Sequence, residues 1–161
     1  LMCWSACSIV YYGLSYVSGN ISDDLYTNMA MMGLMDVIGY ALAGPLLSKM
    51  DSRTLQTAAF ILAAAALFAS SLFPHGSQAS IICAFAGRLF IDFAFTTIYL
   101  LIIEVFPTRS CSGAIGLANF VSRLATVGAP LMALIPFALT CRIMSALGLT
   151  AALATRVLPS P

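Results

Sequence analysis

Charge is what this sequence has least of. Asp, Glu, Lys and Arg make up 8% of its 161 residues, against about 25% in a soluble domain. The formal net charge of +1 leaves no basic stripe to hold phosphates. This shortage excludes an ordinary soluble enzyme, a disordered chain and a nucleic-acid binder. The one histidine, His75, falls in a polar turn and reads as a solvated residue. There is no pair of carboxylates outside the apolar runs, no phosphate-binding glycine motif and no nucleophile beside a base. The reading is therefore a protein that is not an enzyme and needs no cofactor. Cys3, Cys7, Cys83, Cys111 and Cys141 show no C-x-x-C spacing, so no metal site is expected. Cys3 and Cys7 share a helix face, which suits packing, and an odd count argues against a complete disulfide framework.

What fills the sequence instead is apolar. It is 61% hydrophobic with a mean hydropathy of +0.99. A membrane helix takes about 20 residues, and the runs have that scale. They cover about Met2–Val17, Tyr26–Leu47, Leu55–Phe73, Ala79–Ile103 and Gly113–Leu139, with a weaker sixth at Ile143–Leu158. They are rich in Ala, Leu, Ile and Met and lack the alternation of a barrel strand. The expected fold is an all-α polytopic membrane bundle of about six helices, partnered by the lipid bilayer. Gly128, Pro130, Pro136 and Gly148 interrupt the last two spans, as bending points or packing contacts.

Orientation follows from the short loops. Lys49, Arg53, Arg109 and Arg156 fall after spans two and four and in the tail. The other loops hold Arg142, besides Asp23, Asp24 and His75. The first set is placed in the cytoplasm, which puts the Asn20-Ile21-Ser22 glycosylation sequon outside.

Four charges lie within spans: Asp36, Arg88, Asp92 and Arg123. Each costs about 2.5–3.5 kcal/mol at a helix centre on insertion scales, so each is expected to face a partner or a cavity. Arg88 and Asp92 are four residues apart and can pair within their helix. Phe95 and Tyr99 continue that stripe. Gly116, Asn119 and Arg123 share a face of span five, Trp4, Tyr11 and Ser15 one of span one, and Asp36 and Tyr40 one of span two. Span three carries no charge and reads as a lipid-facing or packing helix outside a polar cavity. The competing reading is that these charges only staple helices together, Arg123 to Asp36 among them.

Glu104-Val105-Phe106-Pro107-Thr108-Arg109 resembles the E-L-Y/F-P-T segment of the organic cation/anion/carnitine transporter family, within the major facilitator superfamily. Similarity continues through Gly113-Ala114-Ile115-Gly116 and Ser122-Arg123-Leu124-Ala125-Thr126-Val127-Gly128-Ala129-Pro130. Trp4-x-x-Cys7-Ser8-x-x-Tyr11-Tyr12-Gly13-Leu14-Ser15 looks like the family's seventh helix, and Gly33 to Tyr40 like its eighth. The resemblance implies that residues 1–161 are helices seven to twelve, the C-terminal half of a twelve-helix transporter whose N-terminal half is the expected partner. It implies alternating-access transport of a small organic ion, with a multi-pass location in the plasma membrane. Substrate-path residues implied jointly by the polar faces and the resemblance are Trp4, Tyr11, Tyr12, Asp36, Tyr40, Phe95, Tyr99, Asn119 and Arg123. Arg123 stands where cation-selective members carry Asp, and Tyr40 matches cation and carnitine members. A carnitine-like zwitterion reconciles the two. Ser48-Lys49-Met50-Asp51-Ser52-Arg53 departs from the family's D-R/K-x-G-R-R gating loop, Asp92 replaces a small or hydroxyl residue, and Leu158-Pro159-Ser160-Pro161 replaces L-P-E-T/S. These departures keep open a non-transporting relative that binds a ligand or partner.

Overall fold

The structure is a computed structural model that describes residues 1–17, 24–74 and 76–157. The sequon, Asp23, His75 and the 158–161 tail lie outside the described residues. Six α-helices follow one another: α1 (Met2–Tyr16), α2 (Leu25–Leu47), α3 (Ser52–Leu72), α4 (Gln78–Val105), α5 (Thr108–Thr126) and α6 (Phe137–Val157). A 3₁₀ turn over Ala129–Leu134 joins the last two. No strand occurs among the described residues, so the fold is the all-α bundle that the apolar runs require.

The helix ends follow local chemistry. The Asp24 carboxylate caps α2 by accepting from Tyr26 N–H at 3.1 Å and from the Thr27 hydroxyl. Those donors hold its carboxyl below the usual carboxylate range. Asp51 caps α3 by accepting from Thr54 N–H at 3.2 Å, and Ser77 caps α4 by accepting from Ser80 N–H at 3.2 Å. The fifth apolar run is not one helix to Leu139. It leaves α-geometry after Thr126, with Pro130 in the first turn of the 3₁₀ segment and Pro136 just before α6. Proline lacks the N–H that a continuing helix needs, so the last helix begins at Phe137 rather than Ile143.

Among the described residues, five segments are long and apolar enough to cross a membrane: α2, α3, α4, the 27-residue stretch Thr108–Leu134, and α6. Helix α1 has 15 residues, a length of roughly 22 Å at 1.5 Å per residue, short of a ~30 Å hydrocarbon core.

Helix α3 takes the second of its two expected roles, that of a packing helix. It lies between α4 and α6 and, like α4, buries 56% of its apolar stretch, against 17% for α2 and for Thr108–Leu134. Small side chains explain this. Gly148 of α6 sits over Ala64 and the Phe60 carbonyl, and Gly87 of α4 sits over Leu67. Ser145 donates to the Ala64 carbonyl at 2.8 Å. Ser70 and Ser80 each donate to the other's backbone carbonyl, at 2.9 and 3.0 Å. Backbones that approach this closely gain dispersion contacts, the main attraction between helices in lipid. The result is a tight α3–α4–α6 core, with α1 against α4, α5 and α6, and α2 against α4.

Candidate functional site

The charged side chains of α2 and α4 meet at one point. Arg88 of α4, 4% exposed, forks onto Asp36 of α2: Nε to Oδ1 at 2.8 Å and Nη2 to Oδ2 at 2.9 Å. Its Nη1 donates to the Tyr11 carbonyl at 2.7 Å and the Ser15 hydroxyl at 2.8 Å. The guanidinium also lies 3.5 Å from the centre of the Tyr11 ring. Tyr11 completes the knot by donating its hydroxyl to Asp36 Oδ2 at 3.0 Å. A guanidinium carries its five donors in a rigid plane, which suits a bidentate carboxylate with further acceptors around it.

This corrects the expected Arg88–Asp92 pair. The two share a helix face, but Arg88 reaches across to α2 and forms its carboxylate pair there. Asp92 is 0% exposed, and neither of its oxygens makes a hydrogen bond. The expected alternative for Arg123, a pair with Asp36, is also overturned. Asp36 is taken by Arg88, and Arg123 instead donates Nη1 to the Tyr12 hydroxyl at 2.7 Å, with its guanidinium 5.0 Å from that ring's centre.

Aromatic rings continue from this knot along the bundle. Tyr11 meets Tyr12 edge-on at 5.3 Å and Phe95 at 5.7 Å. Phe95 lies 5.9 Å from Tyr99, and Trp4 stands edge-on to both, at 6.2 and 4.4 Å. Tyr40 is 54% exposed, and its hydroxyl faces Asp92. Edge-to-face geometry fixes ring orientation at these distances.

Thus α1, α2, α4 and α5 bring seven of the nine residues expected from the sequence into one wall, Tyr11, Tyr12, Asp36, Tyr40, Phe95, Tyr99 and Arg123, with Trp4 packed against it. Asn119 meets it only by register, one turn along α5 from Arg123, where its backbone carbonyl accepts from Ser122 at 2.9 Å. Trp4 is 1% exposed and so lies behind the wall, whereas Tyr40, Tyr99 and Arg123 are exposed on it. Ser15 of the α1 stripe joins the site as a further residue, through Arg88. Its position one turn after Tyr11 is the signal that places it on Arg88. No group of three or more metal-ligating side chains forms among the described residues.

Comparison with known proteins gives this wall a context. The chain is 31% identical over 162 residues to an organic cation transporter protein of Drosophila melanogaster, with 97% of the chain and 29% of the relative matched. It is 30% identical to solute carrier family 22 member 15 of Xenopus tropicalis, covering 97% of the chain and 32% of the relative. It is 27% identical over 131 residues to the human organic cation/carnitine transporter 2, covering 81% and 24%. No family model matches the chain. The resemblance read from Glu104–Arg109 and its companions is borne out: the chain is a relative of organic cation and carnitine transporters, and a multi-pass membrane protein. It spans between about a quarter and a third of these relatives' lengths.

Proposed function

We propose that these six helices form one bundle, helices seven to twelve, of a plasma-membrane transporter for small organic ions. The substrate path runs along the wall from Arg123 and Tyr12 past Tyr11 and Phe95 to Tyr99, with Asp36, Tyr40 and Asn119 at its sides and Trp4 supporting the rings. The observation that carries this reading is the convergence of aromatic faces and an exposed arginine on α1, α2, α4 and α5. The α2 and α5 segments that flank the wall are the least buried. A second, N-terminal bundle closing over that side completes the cavity, and rocking of one bundle against the other gives alternating access.

The chemistry of the wall selects its cargo. Aromatic faces attract an organic cation through the ring quadrupole. Arg123 stays protonated and offers a planar fork to a carboxylate. Together they suit a zwitterion of the carnitine kind, in keeping with the name of the human relative. The segment Ser48–Arg53 supports a second reading, a relative that binds but does not transport. Its polar groups serve helix ends here: Asp51 caps α3, and the Ser52 hydroxyl donates to Glu104 Oε1 at 2.7 Å.

The test uses the whole polypeptide carrying this sequence, expressed at the cell surface. Saturable uptake separates the transporting from the non-transporting reading. Arg123→Asp is expected to lower uptake of carboxylate-bearing substrates at least tenfold relative to simple organic cations, a loss of about 1.4 kcal/mol or more. Arg123→Lys restores it only in part, because an ammonium lacks the fork. An unchanged preference at normal surface level removes Arg123 from the selectivity role.

A further inference from the structure

We propose that Asp92 is a proton-binding site: its carboxyl holds a proton while Arg88 is committed to Asp36, and releases it when Arg88 changes partner. The proposal stands apart from the identity of the substrate. It begins with two carboxyl groups that face one guanidinium in unequal surroundings. Asp36 is 21% exposed at its side chain and receives two bonds from Arg88 and one from Tyr11. Asp92 is 0% exposed, and both its oxygens lack a hydrogen-bond donor. Its surroundings on α2 are tight, since a Cβ on Gly39 would come within 2.6 Å of Oδ2.

An ionised carboxylate buried without a well-formed hydrogen bond costs several kcal/mol in a protein interior. The groups that face Asp92 pull in opposite directions. From α2 come the Asp36 carboxylate, which repels it, and the Tyr40 hydroxyl. Tyr11 approaches from α1, and Arg88 from its own helix. The guanidinium's full fork is spent on Asp36, so the neutral acid is the form that fits this arrangement.

The same geometry supplies the release. Arg88 lies one turn before Asp92 on α4 and can swing from one carboxyl to the other. When it does, the O–H bond of Asp92 breaks and the electron pair stays on the carboxylate. The proton passes to water, and Arg88 neutralises the new anion. Asp36, already partly exposed, keeps its charge against water. The exchange therefore moves one proton without stranding a buried charge. A movement of α2 away from α4, or a substrate group that competes for Asp36, sets it off. The Asp that replaces the family's small or hydroxyl residue thus gives the wall a titratable group.

Infrared spectroscopy of the whole polypeptide in lipid nanodiscs tests this directly, because a protonated carboxyl has its own C=O stretch. At neutral pH the unaltered protein is expected to show that band. Asp92→Asn should abolish it while leaving helix content and unfolding temperature near those of the parent, since an amide is isosteric with the neutral acid. Asp36→Asn should abolish it as well, by freeing Arg88 for Asp92. If Asp92→Asn does not fold, Asp92→Ser, a residue closer to the family's usual one, takes its place with the same expected loss. Absence of the band from the parent, or its survival in the folded Asp92 variant, overturns the proton site. Its undiminished survival in Asp36→Asn overturns the exchange of partners.

Discussion

Removing the Arg88 side chain strips two donors from the Asp36 carboxylate, which keeps the Tyr11 hydroxyl, and one donor each from the Tyr11 carbonyl and the Ser15 hydroxyl. Breaking a buried ion pair from one side typically costs about 3–5 kcal/mol, and the partial exposure of Asp36 with its Tyr11 bond puts this pair at the low end of that range. Arg88→Ala is expected to lose that much in denaturant unfolding in mild detergent. Arg88→Lys keeps the charge but not the fork, and should lose about 1.5–3 kcal/mol, the range for a bond to a charged group. An Arg88→Lys variant as stable as the parent would mean that the fork geometry contributes nothing. This residue also marks where the sequence stops being informative. An i, i+4 spacing identifies neighbours on one helix, so it brought Arg88 and Asp92 together on paper. It carries no information about which neighbouring helix supplies a better acceptor. The stripes of α1 and α2 were legible because every member of a stripe points the same way. The partner between stripes was not, because it depends on the packing of α2 against α4.

At the scale of the element, α3 shows the same limit from the other side. A run with no charge reads as lipid-facing or packing, and the structure selects packing, with α3 between α4 and α6. Its alanines and serines are the cause, and they were visible, but small residues serve a helix interface and a lipid face equally well until a neighbour is known. Gly148 offers a way to measure that interface. A Cβ there would stand 3.2 Å from the Ala64 Cβ and 3.5 Å from the Phe60 carbonyl oxygen. Gly148→Ala therefore asks a rigid neighbour to yield by a few tenths of an ångström. Gly148→Val adds two methyl groups where no space exists, and overpacking of that kind costs about 1–3 kcal/mol. Unfolding midpoints in mild detergent are expected to fall in the order parent, Ala, Val. Gly33 of α2, with nothing within 4 Å of its would-be Cβ, is the control. Gly33→Ala should leave stability unchanged or raise it by up to about 1 kcal/mol through lost chain entropy. A Val variant at 148 as stable as the parent would show that α6 does not rest on α3 through this contact.

Across the whole molecule, alternating helix directions bring Lys49, Arg53, Arg109 and Arg156 to one end. They sit after α2, at the start of α3, at the start of α5 and at the end of α6. Arg142 lies near the start of α6, at the opposite end. The charge count in the loops thus becomes a property of one physical face of the bundle, and lysine and arginine bias retains such a face in the cytoplasm. Native cysteines report this poorly, since Cys141 is 1% exposed and Cys111 is half-buried. Two introduced thiols serve better. Met50 is 44% exposed beside the basic end, and Leu134 is 83% exposed at the other. Neither carries charge, so neither substitution alters the bias it is meant to read. In a background with the native cysteines replaced by serine, a membrane-impermeant maleimide on intact cells should label Leu134→Cys. Met50→Cys should label only after the cells are permeabilised. The reverse pattern would place the basic end outside and turn the proposed path over, with Trp4 and Tyr99 toward the extracellular side and Arg123 toward the cytoplasm. The helices and their contacts would be unchanged by that result. What would change is the side from which a substrate first meets Arg123, so the labelling order fixes the direction in which the wall is read.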